Sequence, residues 1–402
     1  MMKPSFLKGM AMTKFTRSIV YVLSAILLVF ILELISFSIL PDGKLNRLES
    51  ILRILEEDAG LFWKVKSRLD TPFEGVQVRT NSLGLRSGDI ASKKEGVFRV
   101  IAMGASPTFG WGVEAGLTYP AVLERKLAGR FPGRKVEIIN AGQIGYTSHQ
   151  GLILLGKCIS RYSPDMITVS YVLNDIDRYR FFRNEGSSDK DLAPGNPLVV
   201  CWNNIAAKSR FIRLLRRAVS SALMRDDKFA AAMFKRQFNL AKVRVEQADY
   251  RANLIKIADL CRERDIRLVF IKMPVHLSLP RLNEEEEGVF RSGKRLSGHY
   301  YDLGCDKESK GEYRQARVLF AKAKDFQVFE INNLSGVYNG IMADVARRNN
   351  LFLVDAVEIF AAQSPGEELF NGPGDPIHPS ARGHGLIASA LCESISADGS
   401  LK

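Results

Sequence analysis

VFRVIAMGASPTFG, residues Val97 to Gly110, opens as an apolar run interrupted only by Arg99 and then breaks into a glycine-bounded turn. A short run of this kind closed by a turn reads as a strand buried on both faces. Gly104 to Gly110 then carries the chain into a helix, with Ser106 in the bend and Pro107 suited to a first helical turn. A serine there can cap the helix or present its hydroxyl at the edge of a sheet.

Four more runs of the same character follow: VEIIN (Val136–Asn140), MITVSY (Met166–Tyr171), IRLVFIKM (Ile266–Met273) and LFLV (Leu351–Val354). Helical patterns lie between them, at Pro120–Leu127, Ser148–Ser160, Ala248–Arg264 and Leu334–Arg348. Strand and helix in alternation give an α/β fold, a three-layer α/β/α sandwich on a five-stranded parallel sheet. Ligands of such sheets bind off the carboxyl ends of the strands, so the chemistry is sought just after each run.

After the second run comes NAGQIGYTSHQ, where Gly145 lets a backbone N–H approach a reacting carbonyl with no side chain in the way. After the third comes VLNDIDR, where the Asn174 amide can donate to a developing oxyanion and Asp175 or Asp177 can cap the helix that follows. Near the end of the chain, DPIHPSARGHGLIASAL sets Asp375 three residues before His378. That spacing lets a carboxylate hold Nδ1 of the imidazole and leaves Nε2 free to take a hydroxyl proton. His384, His149, His276 and His299 lack such a carboxylate. Five scattered cysteines without CxxC spacing suggest neither a zinc site nor a redox motif, and no metal or cofactor is indicated.

In these blocks the chain resembles the SGNH/GDSL hydrolases, which supply Ser, Gly, Asn and a closely spaced Asp and His in this order. The resemblance marks a hydrolase domain at 96–395, matched over most of Gly96 to Ser394 outside two inserted stretches, and TNSLGLRSGD (Thr80–Asp89) resembles the lead-in of membrane-anchored members. It implies Ser106 as nucleophile, His378 as general base, Asp375 as its orienter, and the Ser106 and Gly145 N–H groups with Asn174 as oxyanion hole. Ala105 stands where the family usually has Asp, and Val172 where it usually has Gly, which bears on loop geometry. The implied reaction is hydrolysis of a carboxylic ester through an acyl-enzyme.

The remaining residues frame that domain. Lys3, Lys8, Lys14 and Arg17 precede an apolar run at 18–40 that contains one charge, Glu33. At ~1.5 Å per residue such a helix crosses a hydrocarbon core of ~30 Å. The cations ahead of it predict a cytoplasmic tail at 1–17, a transmembrane helix at 18–40 and a domain outside the cytoplasm. Residues 41–95 read as a stalk, and 181–247 and 280–331 as helical insertions. In the second, Tyr301–Phe326 has a helix–turn–helix pattern near tetratricopeptide positions.

The net charge of +13 points towards an anionic membrane surface or acidic polymer, and not to nucleic acid for an exported domain. The stretch IRLLRRAVSSALMR can form a basic amphipathic helix, read as the surface helix of an insertion. The expected partners are an acyl-ester substrate, for which an acylated glycan is one candidate, and a membrane. Two other functions stay open: an O-acyltransferase acting on exported polysaccharide, and a non-catalytic envelope scaffold.

Overall fold

The computed structural model describes residues 14–39 and 47–401, apart from 179, 183–186, 241, 276–281, 365–367, 373–374, 398 and 400. Residues 1–13 of the expected tail, Leu40 and His276 therefore lie outside the described residues. Helix α1 (Lys14–Ile39) carries the apolar run. Among the described residues no helix is long and apolar enough to cross a membrane, several α1 side chains lying outside that set.

The stretch expected as a stalk is different from a linker. After α2 (Arg47–Ile54) come two antiparallel hairpins, β1 (Leu55–Asp58) with β2 (Phe62–Val65) and β3 (Asp70–Phe73) with β4 (Val76–Arg79). Trp63, Val65, Phe73, Val78 and Leu85 are buried in the same core cluster as the main sheet. Burying that much apolar surface, at ~25 cal/mol per Å², holds the segment on the domain.

The main sheet has five parallel strands, β5 (Val97–Gly104), β6 (Lys135–Asn140), β7 (Met166–Ser170), β8 (Arg267–Lys272) and β9 (Phe352–Asp355), in the order β6-β5-β7-β8-β9. Alternate residues serve opposite faces: Ile101 and Met103 enter one core, Val100 and Ala102 the other. Arg99, the cation within β5, is buried but fully engaged. It pairs with Glu137 at 2.7 Å and donates to the Tyr162 and Ala91 carbonyls at 2.8 and 3.0 Å.

Helices α3 (Ser106–Phe109), α4 (Tyr119–Arg130), α5 (Ser148–Tyr162) and α6 (Leu173–Ile176) follow the first three strands. The stretch 181–247 holds α7 (Pro197–Lys208), α8 (Arg210–Leu223) and α9 (Asp227–Leu240), after which α10 (Gln247–Arg262) returns to the sheet. Next come α11 (Glu284–Arg291), α12 (Leu296–Ser309) and α13 (Tyr313–Asn332), then α14 (Ser335–Arg348), α15 (Ala356–Ala361) and α16 (Ala381–Ala397). Leu155 of α5, Leu254 of α10 and Met342 of α14 pack on one face of the sheet. Leu123 of α4 and Leu391 of α16 pack on the other.

The hairpin α12–α13 closes tightly because Gly304 has no side chain: a Cβ there would lie 2.6 Å from the Phe320 ring. It docks on α9, where Phe238 stacks on Tyr301 at 4.6 Å and Ala231 joins Ala316 and Phe320. The two stretches read as separate insertions thus pack on each other.

Candidate active site

β5 lies between β6 and β7, where the chain passes from one side of the sheet to the other, and the loops after these three strands converge. Ser106 is the first residue of α3, a single turn with Pro107 in its opening positions and Gly110 closing it at φ 87°. Positive φ favours glycine, and a Cβ at Gly110 would also strike Thr118 at 2.3 Å. Arg86 is buried behind this turn and donates to the Phe109, Gly110 and Val113 carbonyls.

His378 Nε2 lies 2.8 Å from Ser106 Oγ, and His378 Nδ1 lies 2.8 Å from both oxygens of Asp375. The Asp375 carboxylate also accepts from the backbone N–H of His378 at 3.1 Å and of Ile377 at 3.3 Å. Burial works against its charge, but the bonds from His378 and these amides hold its carboxyl below the usual value. Ser106 and His378 are themselves buried.

The imidazole is held on its face as well. Trp111 stacks on His378 with centroids 4.8 Å apart and planes 7° from parallel, and Phe73 of β3 packs edge-on against Trp111 at 4.7 Å. Asn371 joins the two, donating from Nδ2 to the Trp111 carbonyl at 2.6 Å and from its N–H to the His378 carbonyl at 3.0 Å. A cleft of about 600 Å³ borders Trp111, Asn371, Asp375 and Glu74. A larger cleft, bounded by Val97, Phe98 and Asp165, lies at the amino ends of β5 and β7, away from Ser106.

The other predicted residues come to the same edge. Gly145 has φ 76°, and a Cβ there would meet Phe181 at 2.5 Å and Trp63 at 3.2 Å. Among the described residues no hydrogen bond is made by the N–H of Ser106 or Gly145. Asn174 spends one amide hydrogen on the Tyr146 carbonyl at 3.1 Å and keeps the other. At the two departures from the family pattern, Ala105 is extended, with φ −92° and ψ −152°, whereas Val172 has φ −153° and ψ −60°, outside the β and α regions. Neither aspartate caps α6 through its side chain. Asp175 is fully buried and instead accepts from Ser148 N–H, at the start of α5, at 2.8 Å.

Several supporting residues have no local signal in the sequence. Trp63 Nε1 donates to the Ile144 carbonyl at 2.8 Å, which fixes the peptide whose other end is the Gly145 N–H. Arg244 Nη1 donates to the Gly145 carbonyl at 2.8 Å, clamping the next peptide. Arg244 stands over the Trp63 ring, 5.0 Å from its centroid, and is held by Gln150 and by Asp189. Asp189 is also bonded by Arg180 at 2.7 Å. Burial opposes its charge, yet the two guanidinium groups keep its carboxyl below the usual value.

His384 is a core residue, its Nδ1 accepting from Tyr119 N–H at 3.0 Å, and burial lowers its pKa to about 3. His149 stacks on Phe62 and His299 meets Glu285, away from Ser106. The cysteines are free thiols, and burial pushes Cys158 and Cys261 up to about 12, which suppresses the thiolate a nucleophile needs.

A family model described as GDSL-like lipase/acylhydrolase matches residues 102–386, a span that runs from β5 into α16. The chain belongs to that family. It is accordingly a serine ester hydrolase by class. No curated protein sequence matches it. Similar solved structures include LAE5, an α/β-hydrolase enzyme from the Lake Arreo metagenome, at 17% identity and TM-score 0.39, covering 74% of this chain and 95% of that one. A lipase/acylhydrolase from Enterococcus faecalis is 16% identical, with TM-score 0.37 over 75% and 96%. Axe2, an acetylxylan esterase from Geobacillus stearothermophilus, is 13% identical, with TM-score 0.36 over 74% and 94%.

Proposed function

We infer that this hydrolase cleaves carboxylic esters with Ser106 as nucleophile, His378 as general base and Asp375 as the group that orients it. The observation that carries the reading is the continuous chain of hydrogen bonds Ser106–His378–Asp375, each at 2.8 Å. Asp375 fixes the imidazole with its proton on Nδ1, so Nε2 accepts the Ser106 proton as Oγ attacks the ester carbonyl. The oxyanion is met by the N–H groups of Ser106 and Gly145 and by the second amide hydrogen of Asn174. Collapse expels the alcohol, which takes the proton from His378, and water then releases the acid by the same steps in reverse.

The test is labelling of the full chain by a fluorophosphonate, with hydrolysis of p-nitrophenyl acetate, beside Ser106→Ala. The parent is expected to label and hydrolyse and the variant to do neither. Equal labelling of both moves the nucleophile elsewhere. The family of hydrolases and the hydrogen bond between Ser106 and His378 weigh against a non-catalytic scaffold.

α1 is proposed to anchor the chain with residues 1–17 in the cytoplasm and the domain outside it. Support comes from its length of 26 residues, about 39 Å at 1.5 Å each, and from the exposure of Leu23, Leu27, Phe30 and Leu34 along it. A reporter that is active only outside the cytoplasm, fused after Lys402, is expected to be active. Activity only of a cytoplasmic reporter reverses the orientation.

A further inference from the structure

Two helices of the first insertion face the wrong way for a domain surrounded by water. The polar side of α7 is fastened to β1: Asn204 Oδ1 accepts from Glu57 N–H at 2.9 Å and its Nδ2 donates to the Glu57 carbonyl at 2.9 Å. Asn203 donates to the Glu57 carboxylate at 3.0 Å. The opposite side turns outward, with Leu198 81%, Trp202 66% and Ile205 56% exposed. A surface helix of a globular protein ordinarily does the reverse.

α8 repeats the pattern. None of its residues is buried, and Leu215, Val219 and Leu223, spaced four apart on one face, are about half exposed. Across residues 197–225 the chain carries six cations, Lys208, Arg210, Arg213, Arg216, Arg217 and Arg225, and no acid. An apolar face flanked by cations without acids matches the acyl boundary and headgroups of an anionic bilayer.

Position agrees with charge. Glu33, the single charge in the apolar run of α1, accepts from Ser209 Oγ at 2.7 Å and from the N–H groups of Arg210 and Phe211 at 2.5 and 3.1 Å. It thereby caps α8, where a carboxylate meets unsatisfied N–H groups and the positive end of the helix dipole. Glu33 lies six residues before the end of α1, so α8 begins about 9 Å inside that end. Amphipathic helices settle about 5–10 Å into the interface.

We propose that α7 and α8 form a collar lying in the interface of an anionic bilayer, docked on α1 through Glu33. The collar fixes the standing distance and tilt of the catalytic domain on the membrane. It goes beyond the proposed ester hydrolysis and takes its orientation from the proposed anchor, while its surface is supplied by α7 and α8.

Trp202 makes the collar measurable, because the other tryptophans, Trp63 and Trp111, are buried. The full chain and its Trp202→Phe variant are reconstituted in vesicles of phosphatidylcholine and phosphatidylglycerol containing lipids brominated near the headgroup end of the acyl chain. The emission lost on substitution is the Trp202 signal. It is expected to be quenched severalfold, and less so when phosphatidylglycerol is left out. Resistance to alkaline carbonate extraction reads the anchor separately. Carbonate resistance with an unquenched Trp202 overturns the collar and leaves the anchor standing, and a protein or a second copy covering α7 gives this result. Quenching at neutral pH with release by carbonate supports the collar and removes the anchor. Equal quenching with and without phosphatidylglycerol overturns the role of charge.

Discussion

Replacing Trp63 by Phe tests whether a residue from the N-terminal hairpins sets the geometry of the reaction. The substitution keeps an aromatic ring in the core and deletes the N–H that holds the Ile144 carbonyl at 2.8 Å. A buried carbonyl left without its donor costs about 1–3 kcal/mol. The smaller ring adds part of the 3–5 kcal/mol typical of a full aromatic truncation, so a stability loss of about 2–4 kcal/mol is expected.

The catalytic effect has its own ceiling. Complete loss of one oxyanion donor costs about 10²- to 10³-fold in kcat. Here the Gly145 N–H is tilted and not removed, because Arg244 still clamps the following peptide at 2.8 Å. We therefore expect kcat to fall about 10- to 100-fold with KM nearly unchanged, the pattern of an interaction made only in the transition state. The assay is steady-state hydrolysis of p-nitrophenyl acetate beside urea unfolding of the same preparation. In a Gly145→Ala background, where the donor is already displaced, Trp63→Phe should have little further effect on kcat. A variant that loses stability but keeps kcat within about twofold refutes the argument and leaves Trp63 a packing residue.

Asp375→Asn should lower kcat by about 10⁴-fold while thermal stability changes little, since the amide favours the wrong imidazole tautomer; a loss below tenfold, measured on purified chain, removes Asp375 from its role. Asp175 is pushed up to about 7, chiefly by burial, so its contribution to stability is full below the unfolded value near 4 and is lost as pH rises through about 7. Asp175→Asn should abolish that decline, worth on the order of 4 kcal/mol at most, and parallel urea midpoints for parent and variant from about pH 5 to pH 8.5 would contradict it. Arg244→Met leaves the buried Asp189 with fewer partners and should cost about 3–5 kcal/mol in unfolding experiments.

The sheet was legible because its strands are covered on both faces, so each reads as an unbroken apolar run. The expected strands differ from the observed ones by a residue or so at their ends, as at Met166–Ser170 and Phe352–Asp355. The hydrogen-bonded chain proposed to be reactive could be sought in the sequence because Asp375 and His378 are three residues apart and Ser106 lies just past the end of a strand. The hairpins between Leu55 and Arg79 were not. Their strands are only four residues long and present mixed faces, buried at Trp63 and Val65 but half-exposed at Lys64. Four residues are too few for a period of two to stand out from a polar linker. Arg244 was invisible for another reason: its partners Gly145, Gln150 and Asp189 lie 99, 94 and 55 residues away.

The hairpins also change what the domain is. Trp63 reaches Ile144 beside the proposed oxyanion donor Gly145, Val65 N–H donates to Gln143, and Phe73 backs the Trp111 ring stacked on His378. Gln143 N–H in turn bonds the carbonyl of Gly104, two residues before Ser106. Residues 55–79 therefore support the loop at Gln143–Gly145 from one side and the His378 imidazole from the other. A truncation at residue 96, just before the sheet begins, would keep Ser106, His378 and Asp375 and lose both supports. Such a fragment should expose the apolar surface that Trp63, Val65, Phe73 and Val78 now cover and hydrolyse esters far more slowly than the full chain, whereas full activity from it would mean that the hairpins are a cover and not a brace.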